Sequence, residues 1–189
     1  MRHLVFLLEE LSAEEMLKGV LPKILPEGIQ VKFIVFEGKQ DLEKQLERKL
    51  KAWQQPNSVF LVMRDKDSGN CSVIKRQLLA KVTASGKQKV TLVRIACCEL
   101  ESFYLGDLNA VEQGLSIPNL AKKQGEKKYR TSDLLSNAAQ ELHKLTQRNY
   151  QKVSGSRAIG PYLRTDGSNC SHSFNVLIDG IQKLVNIAL

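Results

Sequence analysis

The chain reads as an α/β protein: a central, mostly parallel sheet of about four strands flanked by helices, with a C-terminal helical extension. Three observations predict this. Over residues 1–107, short apolar runs alternate with amphipathic helical patterns, the order expected of parallel strands joined by helical crossovers. After Asp107 the strand signal stops and only helical patterns follow. The length, 189 residues with 42% hydrophobic and 25% charged content, suits one folded unit with a real core. The expected organisation is an α/β domain over 1–107 with a helical, basic extension over 108–189 packed on it as a single structural unit.

Leu4 to Leu8 is the first strand, ending in Glu9-Glu10. Ser12 with Glu15 three residues later has the form of a capping box, and Met16, Leu17, Val20, Leu21 and Ile24 follow at helical spacing until Pro26-Glu27-Gly28. Ile29 to Phe36 is the second strand. Gln40 to Trp53 is a charged helix whose buried stripe is Leu42, Leu46, Leu50 and Trp53. Val59 to Met63 reads as a fully buried third strand and runs directly into Arg64-Asp65-Lys66-Asp67-Ser68-Gly69-Asn70. A helix from about Cys71 to Ala84 leads through Ser85-Gly86-Lys87 into a fourth strand, Val90 to Ala96. Helices are expected over 119–124, 133–148, 151–163 and 171–188, the last capped by Ser171.

Of the net charge of +8, residues 122–164 carry +7, with ten Lys or Arg against Glu126, Asp133 and Glu141. Such a segment suits a polyanion partner, or serves only as a solvated helical face. Lys128, Arg130, Lys152 and Arg157 are its candidates for contact with nucleic acid. The four cysteines, Cys71, Cys97, Cys98 and Cys170, lack Cys-x-x-Cys spacing and read as reduced, mostly buried thiols. The start of the chain is too short in its apolar run and too acidic in its flank for a signal peptide. No apolar stretch reaches membrane-spanning length. A cytoplasmic protein with no membrane partner is expected.

Carboxylates stand at three strand ends: Glu9 and Glu10, Asp65 and Asp67, Glu99 and Glu101. Each pair alone is explained by helix capping or solvent exposure. Gathered at one edge of a parallel sheet, they would repel unless divalent cations neutralised them, and hard oxygen donors suit Mg²⁺ or Mn²⁺. Glu99 and Glu101 face one site together only if the fourth strand runs past Cys98. If a helix has begun, as Leu105 and Leu108 indicate, only one of them can. Phe103 and Tyr104 are expected in the core, and His3, His143 and His172 are too isolated for a catalytic role.

The pattern resembles the TOPRIM domain of topoisomerases, primases and OLD-type nucleases. Leu7-Leu8-Glu9-Glu10-Leu11-Ser12 stands where that family often has Glu-Gly-x-Ser/Thr, and Arg64-Asp65-Lys66-Asp67 matches its aspartate pair. The chain looks closer still to a family of bacterial TOPRIM-like proteins, through Arg64 to Gly69, residues 99–107 and Tyr150 to Arg157. The resemblance implies a TOPRIM/Rossmann-like sheet and a Mg²⁺- or Mn²⁺-dependent nuclease acting on DNA or RNA, often beside an ATPase partner in defence against phage or plasmids. It leaves a homodimer open. It makes Glu9 the general base or a metal ligand and Asp65 and Asp67 the primary ligands. Glu10, Glu99 and Glu101 complete the candidate metal set. Glu10 replaces the glycine of the family's Glu-Gly, and Asn70 stands where a further acid is expected.

Two other readings stay open on sequence alone. One is a non-catalytic module in which the basic segment binds nucleic acid or a partner protein. The other is a toxin-like ribonuclease acting on tRNA, since no base-reading motif distinguishes RNA from DNA.

Overall fold

The computed structural model describes residues 2–187. Four strands, β1 (Arg2–Leu8), β2 (Ile29–Val35), β3 (Ser58–Asp65) and β4 (Thr91–Ala96), form one sheet in the order β2-β1-β3-β4, with every pairing parallel. The two central strands are those with the longest apolar runs. All eight residues of β3 are buried, so the apolar tract from Val59 to Met63 carries Arg64 and Asp65 into the interior with it.

Helices α1 (Leu11–Val20), α2 (Lys39–Lys51) and α3 (Cys71–Ala84) follow the first three strands. Ala13, Met16, Leu17 and Val20 of α1 pack on one face of the sheet, against Leu4, Phe6, Leu8, Val59, Leu61 and Met63. On the opposite face, Leu42, Leu46 and Leu50 of α2 and Ile74, Leu78 and Val82 of α3 meet Val5, Leu7, Phe60 and Val62. The alternation of side chains along β1 and β3 supplies both cores at once. The chain thus leaves β1 in one direction over one face and later returns past it over the other face. The gap between the carboxyl ends of β1 and β3 is therefore the topological switch point, where open α/β sheets hold their ligands.

Every described element after β4 is helical: α4 (Glu101–Leu105), α5 (Leu108–Leu115), α6 (Lys127–Arg130), α7 (Ala138–Leu145), α8 (Lys152–Ile159) and α9 (His172–Val185), with short 3-10 turns between them. These helices bury Phe103, Tyr104, Leu142, Ile159, Phe174 and Leu177 in the α1-side core, so α1 is covered by the extension rather than by solvent. Ser171 caps α9 by accepting the Phe174 N–H, as expected; residue 188 of the predicted last helix lies outside the described residues. The helix expected over 133–148 is split into a 3-10 turn, Ser132–Leu134, and α7.

The helix expected over 119–124 is a 3-10 turn, Ala121–Gly125, and the start of the first helix also differs from expectation. The first helix begins at Leu11, with Glu10 at the cap position, and Ser12 lies inside it, donating its hydroxyl to Glu10. Glu15 pairs with Lys18 and Arg157 instead of closing a capping box. Among the described residues no helix is long and apolar enough to cross a membrane.

Candidate active site

The switch point is built from backbone outward. Beyond β1, the Glu9 N–H donates to the Met63 carbonyl of β3 (3.2 Å), while the Glu9 carbonyl accepts the Gly38 N–H beyond β2 (3.0 Å). Gly38 has φ of +94°, in the region that favours glycine, which permits this close turn. The Glu9 carboxylate then accepts the backbone N–H of Asp65 at 3.0 Å. The segment after β3 is fixed to the one after β4, with Lys66 N–H on the Ala96 carbonyl and Asp67 N–H on the Cys98 carbonyl, both 2.9 Å. Asn70 caps α3 through the N–H groups of Ser72 and Val73, so the expected acid at that position is a helix cap.

Asp65 is 9% exposed and accepts the Leu100 N–H at 3.1 Å. Burial, then the charges of Glu10, Glu101 and Glu9, hold its carboxyl well above the ordinary aspartate value. Among the described residues it has no salt-bridge partner. Glu9 is raised too, first by burial, although the Asp65 N–H and Arg64 pull the other way. Glu101 is 1% exposed and raised by burial; Lys152 and a hydrogen bond from the Tyr150 hydroxyl (2.9 Å) oppose the shift.

Two lysines hold the outer carboxylates. Lys39 Nζ lies 2.7 Å from Asp67, and Lys152 Nζ 2.5 Å from Glu10. Burial disfavours the Lys152 ammonium, but Glu10, Glu101 and Asp65 more than offset this and raise it. Arg64, 6% exposed, points among Glu43, Glu9 (3.9 Å) and Asp67 (3.7 Å). Three of these side chains, Arg64, Lys39 and Tyr150, were not singled out from sequence. A charged residue directly at the end of the apolar run Val59 to Met63 was the available signal for Arg64. For Lys39 it was position, since every loop following a parallel strand emerges at this edge.

Six carboxylates were candidates for the metal set, and the fold divides them. Glu9, Glu10, Asp65 and Glu101 influence one another's charge, and Asp67 adjoins Glu9. Glu99 does not join them. Strand β4 ends at Ala96 and α4 begins at Glu101, so the two glutamates diverge; Glu99 accepts the Ala139 N–H at 2.7 Å and holds the start of α7. Among the described residues no three or more His, Cys, Asp or Glu side chains are gathered closely enough to hold a metal ion. The outer carboxylates are instead turned toward lysines.

The basic candidates separate in the same way. Lys152 stands at the acidic edge. Arg157 pairs with Glu15, Lys128 with Glu141 (2.7 Å) and lies over the Tyr129 ring, and Arg130 is exposed. The Tyr150 to Arg157 segment has a packing reason for its spacing. Tyr150 reaches Glu101, and a Cβ at Gly155 would overlap the Tyr150 ring. Tyr104 donates to the Ser156 hydroxyl at 2.7 Å, which in turn donates to the Lys152 carbonyl at 2.6 Å. A pocket of about 290 Å³ opens beside this network, lined by Glu101, His143, Tyr150 and Lys152 among others.

A family model described as a domain of unknown function (DUF4276) matches residues 8–182. No curated protein and no solved structure matches the chain.

Proposed function

The chain belongs to the DUF4276 family, and we propose that it is a Mg²⁺- or Mn²⁺-dependent nuclease hydrolysing phosphodiester bonds of DNA or RNA at the β1–β3 switch point. The observation that carries the reading is Asp65: a buried carboxyl under the charges of Glu10, Glu101 and Glu9 that, among the described residues, forms no salt bridge. A carboxylate in that position is costly unless protonated or neutralised by a cation. The donors are all hard oxygens, the set that suits these metals. The resemblance to TOPRIM domains at Glu9 and at Asp65-Lys66-Asp67 points the same way.

Asp65 and Asp67 would hold the metal, with Glu9 as a ligand or general base and Glu10 and Glu101 in support. A bound divalent cation supplies an acidified water and neutralises developing phosphate charge. Glu9, half-enclosed at the edge and held by the Asp65 N–H, is the carboxylate that would act as general base there. Lys39 and Lys152 carry the compensating positive charge at this edge, and Lys152 would meet a substrate phosphate on leaving Glu10. The basic segment would draw the polyanion in. An ATPase partner belongs to the proposal through the TOPRIM-like resemblance only.

The test is cleavage of plasmid DNA and bulk tRNA with Mg²⁺, Mn²⁺ or EDTA, wild type beside an Asp65→Ala/Asp67→Ala variant of verified folding. Metal-dependent cutting lost in the variant is expected. Cutting that survives both substitutions overturns the assignment. Salt-sensitive binding without turnover would favour a binding module instead.

A further inference from the structure

Three of the four cysteines are not buried as expected: Cys71, Cys97 and Cys170 are half-buried free thiols, and only Cys98 is enclosed. Two of the half-buried ones meet. Cys97 Sγ lies 3.8 Å from Cys71 Sγ. Each sits next to the candidate site from a different side. Cys71 opens α3 directly after the segment 66–70, which carries Asp67. Cys97 follows β4 directly, one residue before the Cys98 carbonyl that accepts the Asp67 N–H, and three before the Leu100 N–H that Asp65 accepts.

We propose that Cys71 and Cys97 are a reversible oxidation site, closing to an intrachain disulfide across the two segments that hold Asp65 and Asp67. The oxidant is a hydroperoxide. The Cys71 sulfur attacks the peroxide, the O–O bond breaks, and Cys71 becomes a sulfenic acid with release of one water. The Cys97 sulfur then attacks the Cys71 sulfur; the S–O bond breaks and the departing hydroxide leaves as a second water with the Cys97 proton. Two thiols are thereby oxidised and one peroxide reduced. A thiol reductant reverses the bond by exchange. Cys98 is not the partner: it is buried, and its sulfur lies 3.5 Å from both Lys66 Nζ and the Asp133 carbonyl oxygen. In a reducing compartment a thiol pair of this kind closes transiently, as a sensor rather than a structural staple.

The test needs neither metal nor nucleic acid, so it stands apart from the nuclease assignment. Purified, fully reduced chain is treated with a small excess of hydrogen peroxide, quenched by alkylation and digested for mass spectrometry. The expected product is a monomer lighter by two hydrogens, in which the peptide bearing Cys71 is linked to the one bearing Cys97 and Cys98. Because those two cysteines share a peptide, the assignment is made in variants: the link persists in Cys98→Ser, is lost in Cys97→Ser and Cys71→Ser, and disappears on adding dithiothreitol. A Cys97–Cys98 link, a link retained in Cys97→Ser, crosslinks only between chains, or oxidation of Cys71 that stops at a sulfinic acid would each overturn the proposal.

Discussion

The Glu9 carboxylate accepts the backbone N–H of Asp65 at 3.0 Å, so the first acid beyond β1 is tied to the last residue of β3. The same carboxylate is raised by burial and lies 3.9 Å from buried Arg64. Glu9 therefore has a positioning contact and a charge that can be separated by substitution.

Glu9→Gln keeps an acceptor for the Asp65 N–H and removes the charge. Its thermal midpoint should stay close to wild type, while metal-dependent cleavage falls by about 100-fold or more, the usual worth of a general base or ligand. Glu9→Ala should lose the same activity and also about 1 kcal/mol of stability with the hydrogen bond. Denaturant melts beside initial rates separate the two.

Asp65 gives a pH signature. Its folded-state carboxyl is raised, so the native chain holds a proton that the unfolded chain releases above the ordinary value of 3.8. The stability contribution is fully present below that value and is lost as pH rises toward the raised one. Asp65→Asn should remove this loss and make metal-free protein more stable at neutral pH. Urea melts across the range from pH 4 upward, with EDTA present, check it; a variant no more stable than wild type at pH 7 contradicts it.

Arg64 is the buried counter-charge. Arg64→Met leaves Glu9 and Glu43 without it and should destabilise by about 2–3 kcal/mol, less than a fully buried pair because Glu43 and Asp67 are partly solvated. Chemical denaturation reads this directly. A loss under about 0.5 kcal/mol would place Arg64 outside the architecture of the site.

Lys152→Ala removes the ammonium that touches Glu10 and faces Glu101 and Asp65. Cleavage should drop by about 10-fold or more through weaker substrate binding, and Lys152→Arg should restore part of it. Arg157→Ala should change cleavage little, because its guanidinium is engaged by Glu15. Equal losses in Lys152→Ala and Arg157→Ala would show that only general basicity matters.

The fold was legible because β1 and β3 are continuous apolar runs buried on both faces, a pattern few other elements produce. That Glu9, Glu10, Asp65 and Asp67 stand at one edge of the sheet followed from parallel connectivity alone. What sequence left undecided was direction. Glu99 and Glu101 are two residues apart, and a helix start at Glu101 sends them to different partners, Ala139 and Tyr150. The roles of Arg64, Lys39 and Tyr150 depend on contacts between residues 21 to 49 positions apart, which no local spacing encodes. Cys71 and Cys97 were hidden for the same reason, since only the pairing of β3 with β4 brings their segments together.

As a metal site, Asp65 and its neighbouring carboxylates would close around a divalent cation. Calorimetric titration of metal-free chain with Mn²⁺, wild type beside Asp65→Asn, tests it without any assumption about substrate. Saturable binding by wild type that is at least tenfold weaker in the variant is predicted, with wild type gaining about 1.4 kcal/mol of stability at free metal ten times Kd. No binding, or equal binding by both chains, would contradict it.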